Sequence, residues 1–134
     1  MKIGLISCVS TKLEGNHKAK DIYISPLFKK SRKFVEKYYD DYYILSAKYG
    51  LIEKNKHIDS YNLTLNKMNI NKRQMWSILV AKQIKNIINK DDELFILAGE
   101  KYYMDLIKYI PNKTNIIMKN LGLGERLQYL NKKI

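Results

Sequence analysis

Four short apolar runs, each ended by small, polar or glycine-containing sequence, constrain this chain more than any other feature. The runs are KIGLI (2–6), YYIL (42–45), LFIL (94–97) and NIIM (115–118). Their followers are SCVSTK (7–12), SAKYGL (46–51), AGEKYY (98–103) and KNLGLGER (119–126). Stretches long enough for helices lie between them, and strand alternating with helix is the pattern of a parallel α/β sheet. The first run is apolar throughout, as a strand covered on both faces is. The expectation is one α/β domain over residues 1–134, in three layers, with a mostly parallel four-stranded sheet flanked by helices. Ligands of such sheets bind outside the carboxyl ends of the strands, so the followers are where chemistry is sought.

The connections carry their own signals. Residues 9–20 are polar and read as a loop. Ser25-Pro26 suits a helix start, because serine caps and proline fits the first turn. That helix spans 26–39 with an apolar stripe of Leu27, Phe28, Phe34, Val35 and Tyr38. Residues 52–66 show no period and read as a functional loop or lid. A helix over 69–89 places Met75, Ile78, Leu79, Ile84, Ile87 and Ile88 at helical spacing, and Met75 and Trp76 are expected in the core. A further helix over 101–109 stops before Pro111, and a last helix follows Gly122-Leu123-Gly124.

Composition narrows the class. Lys and Arg number 25 against 13 Asp and Glu, a formal charge of +12, which attracts polyanions such as nucleic acid or a phosphorylated ligand. Against this, the chain is rich in Lys, Asn, Ile and Tyr, and most lysines stand singly along presumed helices such as 82–90, where they form solvated faces. Nothing approaches the roughly 18 apolar residues of a transmembrane helix, and the start MKIGLISC is too short and strand-like for a signal peptide. A single cysteine, Cys8, cannot close an internal disulfide, and there is no zinc-ligand cluster. A cytoplasmic protein without metal or other cofactor is expected.

Five groups of residues can carry chemistry. Cys8, Ser10 and Lys12, with Ser7 and Thr11, make a hydroxyl-rich loop that can cradle an anion; it lacks the glycines of a P-loop. Cys8 is a nucleophile only if His17 or His57 comes near, and otherwise a small buried hydrophobe. Ser46 and Lys48 follow a strand end. A lysine in a dry pocket serves as base or Schiff-base nucleophile, or clamps a phosphate; the competing reading is a plain turn ending at Gly50. Asp59 could activate water, or with Tyr61 hold a ribose and a base; alone it reads as a solvated loop charge. Gly99 and Glu100 with Tyr102 and Tyr103 form the fourth group. Gly122, Gly124 and Arg126 form the fifth, where backbone near a helix start favours phosphate and Arg126 offers a guanidinium fork, or a structural salt bridge to Glu100 or Glu125.

Together these segments resemble a domain-of-unknown-function family of bacteria, archaea and their phages. The resemblance rests on SCVSTK (7–12), YISPLFKK (23–30), ILSAKYGLI (44–52), IDSYNLTL (58–65), LAGEKYY (97–103) and LGLGERLQYL (121–130), in the family's order over nearly the whole chain. Two departures stand out. The first loop reads Cys-Val-Ser-Thr-Lys, which leaves the lysine's register one residue open, and Ser60 stands where the family has proline. The family is distantly similar to YaaA-like peroxide-stress proteins, to a domain of archaeosine-synthase-type tRNA enzymes, and through these to the uracil-DNA-glycosylase type of α/β sheet. The resemblance implies nucleobase, nucleotide or nucleic-acid recognition at the strand ends. The water-activating aspartate loop of true uracil-DNA glycosylases is not visible after the first strand, and a shared fold does not fix function.

The expected function is therefore recognition of a nucleotide or nucleobase at the strand ends, with hydrolysis of an N-glycosidic bond as its enzymatic form. Lys12 and Arg126 would hold phosphate, Tyr23 or Tyr102 would stack on the base, and Ser46 would bond sugar or base. Asp59 or Glu100 would position water or stabilise an oxocarbenium-like sugar, and Lys48 would assist the leaving base. Ser25, Tyr61, Gly99, Gly122 and Gly124, with Cys8 and Ser10, complete the binding set. One alternative is a non-catalytic module of the same residues that sequesters a nucleotide signal, as a phage anti-defence sponge would, with a homo-oligomer closing the pocket. Another is a basic DNA- or RNA-binding domain. No membrane partner is expected.

Overall fold

The computed structural model describes residues 1–7 and 11–134. In chain order the elements are β1 (Lys2–Ser7), β2 (Asn16–Lys18), α1 (Ala19–Ile22), α2 (Pro26–Tyr38), β3 (Asp41–Ser46), β4 (Gly50–Glu53), β5 (His57–Asp59), α3 (Ile70–Ile87), β6 (Glu93–Leu97), α4 (Glu100–Tyr103), β7 (Thr114–Ile116) and α5 (Leu123–Lys133). The main sheet has the order β4-β3-β1-β6-β7. The four expected strands are all present and parallel, with Leu5 between Tyr43 and Ile96. The expectation of four strands is corrected to five, because β4 adds an antiparallel edge to β3.

Gly50 explains the added strand. It sits at φ +75°, a conformation open to glycine at no steric cost, and lets the chain reverse after 47–49 and pair back on β3. The expected loops at 9–20 and 52–66 contain strands, at Asn16–Lys18 and at Gly50–Glu53 and His57–Asp59. β2 and β5 pair antiparallel as a separate two-stranded ribbon, with His17 opposite Ile58. The expected helix over 101–109 is split into α4 and a 3-10 turn at Leu106–Lys108.

Side chains alternate across the sheet, as strand period demands. Ile3, Leu5, Leu94 and Ile96 join one buried cluster with Trp76, Val80, Ala81 and Ile84 of α3. Ile6, Ile44 and Leu97 join another with Phe28, Phe34 and Val35 of α2 and Leu130 of α5. Three layers result. Gly4 matters to the second: a Cβ there would lie 2.7 Å from Val35 Cγ1, so its absence lets α2 approach β1. Ser25 caps α2 as expected, accepting the Phe28 N–H at 3.2 Å.

The core reading of α3 needs a correction. Trp76 is buried, but Met75 is 71% exposed, and Ile78, Leu79 and Ile87 are also exposed. The face that meets the sheet is Trp76, Ser77, Val80, Ala81 and Ile84, and Met75, Ile78 and Leu79 lie on the opposite side. No helix among the described residues is long and apolar enough to cross a membrane.

The connections fix where a ligand would lie. From β1 the chain passes through α2 to β3 on one side, whereas from β6 it passes to β7 on the other. Adjacent β1 and β6 thus send their connections apart, which is the switch point where ligands of open α/β sheets bind.

Candidate functional site

Two cavities meet at that point. The larger, about 360 Å³, runs between α2 and α5 over the ends of β1 and β6, and most of its wall is apolar: Phe28, Leu97, Ile117, Leu123 and Leu127 among others. The smaller, about 280 Å³, is polar, with Glu100, Lys119, Asn120 and Gly122 in its wall. Ala98, Met118 and Arg126 belong to both.

Arg126 is the group that joins them. Its Nε donates to the Leu121 carbonyl at 3.0 Å, which orients the guanidinium plane. The alternative of a structural salt bridge is not found: no carboxylate among the described residues pairs with it. Arg126 rides on the first turn of α5, whose N-cap is Gly122. With no cap side chain, the first N–H groups of α5 lack a side-chain acceptor and carry the positive end of the helix dipole. Glu125 reaches back instead, accepting the Gly122 N–H at 3.2 Å. The loop before α5 is held in an unusual shape, with Met118 at φ +62° and Asn120 at φ +66°. Asparagine tolerates this region, while for methionine it costs about 1–2 kcal/mol; such residues cluster at ligand sites.

A second cluster lies at the end of β3. Ser46 is fully buried; its hydroxyl donates to Tyr61 Oη at 2.9 Å and accepts the N–H groups of Lys48 (3.2 Å) and Tyr49 (3.0 Å). Tyr61 Oη lies 2.7 Å from Tyr23 Oη, and Lys12 Nζ stands 4.5 Å from the centre of the Tyr61 ring. Four separate motifs thus converge here, and Tyr23 packs on Phe28 of the larger cavity at 4.9 Å between ring centres.

The remaining expected residues divide. Ser25, Gly99, Tyr102, Glu100, Gly122 and Arg126 all stand in a cavity wall. Cys8 and Ser10 lie outside the described residues. Tyr23 and Tyr102 are each 1% exposed. The Tyr23 ring is wedged against Phe28 and Tyr61 and cannot take a base on its face, and Tyr102 meets Trp76 edge-on. Lys48 is exposed, with Nζ 5.3 Å from the centre of the Tyr49 ring, so the dry-pocket reading is withdrawn. Asp59 is exposed on the ribbon, accepting from Asn16 Nδ2 at 3.0 Å, and stands in neither cavity wall. Gly124 does not precede the helix but is its second residue, and a Cβ there would meet nothing within 4 Å.

Ser7, of the first hydroxyl-rich group, stands in the wall of the larger cavity. Other wall residues escaped the sequence reading, among them Ser31, Asn66 and Met118; a serine within a helix and an asparagine in a loop carry no signal. Among the described residues no three His, Cys, Asp or Glu side chains are grouped to hold a metal ion.

Residues 3–132 match DUF6884, a family of unknown function. The chain is also similar to uncharacterized protein YfjM of Bacillus subtilis (strain 168), with 25% identity over 129 residues that cover 90% of this chain and 82% of the relative.

Proposed function

The chain belongs to the DUF6884 family, and we propose that it binds a nucleotide-like anionic small molecule at the carboxyl ends of β1, β6 and β7. The observation that carries this reading is the place of Arg126, a wall of both the apolar and the polar cavity. A guanidinium takes phosphate oxygens in a bidentate fork, and the start of α5 adds partial positive charge beside it. The apolar slot suits the flat faces of a base, and a mostly apolar cavity with a few convergent polar groups is the usual form of a small-molecule site.

Hydrolysis of an N-glycosidic bond would fall to Glu100, the carboxylate among the described cavity walls. Its carboxylate would take a proton from water as the oxygen adds to the anomeric carbon, while the C–N bond breaks and the base leaves as its anion; that proton then passes from Glu100 to the base, which restores the carboxylate. Lys48 and Asp59 stand in neither wall, and this favours a second reading in which the same pocket sequesters its ligand without turnover.

Incubation with ribonucleoside 5′-monophosphates, followed by chromatography, tests both. Free base that disappears in Glu100→Gln supports the hydrolase. Saturable binding with intact nucleotide supports sequestration. Neither binding nor release overturns the pocket reading and leaves the charge of +12 as a guide to nucleic acid, seen as a steep fall in affinity with salt.

A further inference from the structure

The larger cavity is mostly apolar, and Ser31 is one of the polar side chains in its wall, with Ser7, Ser25, Asn66 and Arg126. Leu27 and Ser31 on α2, and Leu123 and Leu127 on α5, are pairs four residues apart in its wall, so the cavity runs a full turn down the cleft between the two helices. Ser31 stands on the inner turn. It is 3% exposed and belongs to the cavity wall, so what remains accessible of it is reached through the cleft. A hydroxyl in that position can exchange a water for the polar edge of a ligand. Serine is also an uncommon choice for the inward side of a helix that buries its own Phe28, Phe34 and Val35 there; an alanine would fit the same space.

We infer that the cleft between α2 and α5 is the base subsite, and that Ser31 is its specificity-determining residue, bonding a nitrogen or oxygen on the edge of a flat heteroaromatic ring. The inference rests on the nucleotide reading above and deepens it. Phe28, Leu97, Ile117 and Leu127 supply apolar contact that any flat ring of the right size can use. Ser31 supplies discrimination, since its hydroxyl either donates to or accepts from a ring edge. A hydrocarbon ring in the same place would leave the hydroxyl unpaired, and such a loss is what makes a polar site reject an apolar analogue. Arg126, one turn nearer the helix starts than Leu130 and on the side of the polar cavity, then holds the phosphate of the same molecule.

The test compares Ser31→Ala and Ser31→Cys with the unaltered protein. The probes are the four common ribonucleoside 5′-monophosphates and an indole ribonucleotide, whose ring is flat but has no hydrogen-bonding edge. The expected result is that the tightest natural monophosphate loses about tenfold in affinity in both variants, while the indole compound holds or gains. Equal affinity of the natural nucleotide in all three proteins overturns the inference. So does an equal loss for the indole compound, because a packing defect and not a hydrogen bond would then be responsible. Near-ultraviolet circular dichroism establishes that each variant is folded, and the cysteine variant keeps the volume of the site if the alanine variant is not. Failure of all five probes to bind the unaltered protein overturns the nucleotide reading and this assignment with it.

Discussion

The phenol oxygens of Tyr23 and Tyr61 lie 2.7 Å apart, joining residues 38 positions distant in the chain. Tyr61 also receives the Ser46 hydroxyl at 2.9 Å, and the Ser46 carbonyl receives Trp76 Nε1 at 2.9 Å. One hydroxyl chain therefore ties the segment before α2, the end of β3 and the strand-free stretch before α3 together, beside the larger cavity. Tyr61→Phe keeps the ring and removes the link. It is expected to lower unfolding free energy by about 1–3 kcal/mol, since the buried Ser46 hydroxyl loses its acceptor, measured as a lower urea midpoint at unchanged slope.

Gly4→Ala tests the packing of α2 on the sheet. The added Cβ would stand 2.7 Å from Val35 Cγ1 and 3.3 Å from the Tyr39 ring. Overpacking of this kind costs about 1–3 kcal/mol. Val35→Ala in the same chain frees that space, so the double variant should be more stable than the sum of the single losses predicts, a coupling that a double-mutant cycle measures.

Alkaline stability should depend on Tyr39. Its ring stacks on Phe95 at 4.4 Å between centres, and burial, with Tyr129 and Glu93 nearby, pushes its phenol up to about 12. A group raised in the folded state contributes stability that is full below its unfolded value of about 10 and is lost as pH rises through the folded one. Unfolding of the wild-type chain should therefore become easier between pH 10 and about 12. Tyr39→Phe should flatten that fall without abolishing it, because burial and Glu36 push Tyr42 up as well. Urea midpoints across pH 8–12 that coincide for the two proteins would refute the assignment.

Lys48→Ala and Asp59→Asn should leave nucleotide affinity within about twofold, as surface changes away from a site do. Both side chains are exposed and outside the cavity walls. Titration calorimetry on the two variants checks this.

What the sequence revealed and concealed follows from the physics of each signal. The parallel strands were legible because β1, β3 and β6 are buried on both faces and read as unbroken apolar runs. The β4 edge was hidden in SAKYGLI, where a plain turn ending at Gly50 competes with a site and neither reading places a strand after the turn. The β2–β5 ribbon has three-residue strands, too short to show alternation. For α3, apolar residues on both sides blurred the period, so Met75 was placed inward and lies outside. Arg126, Gly99 and Ser25 stand in the wall of the larger cavity because topology alone brings strand ends and helix starts together. Lys48 and Asp59 misled because nearness to a strand end does not say which way a side chain points. Ser31 gave no signal, since a serine within a helix ordinarily faces water.

The central claim is that Arg126 holds the phosphate of a ligand whose base lies in the apolar cleft. Equilibrium binding of a nucleoside and its 5′-monophosphate to the wild-type protein and to Arg126→Ala tests it most directly. The wild-type protein is expected to prefer the monophosphate by about tenfold or more, as a charge-assisted bidentate bond would give, and the variant to lose this preference while still binding the nucleoside. An equal preference in both proteins, or no binding of either compound by the wild-type protein, would contradict it.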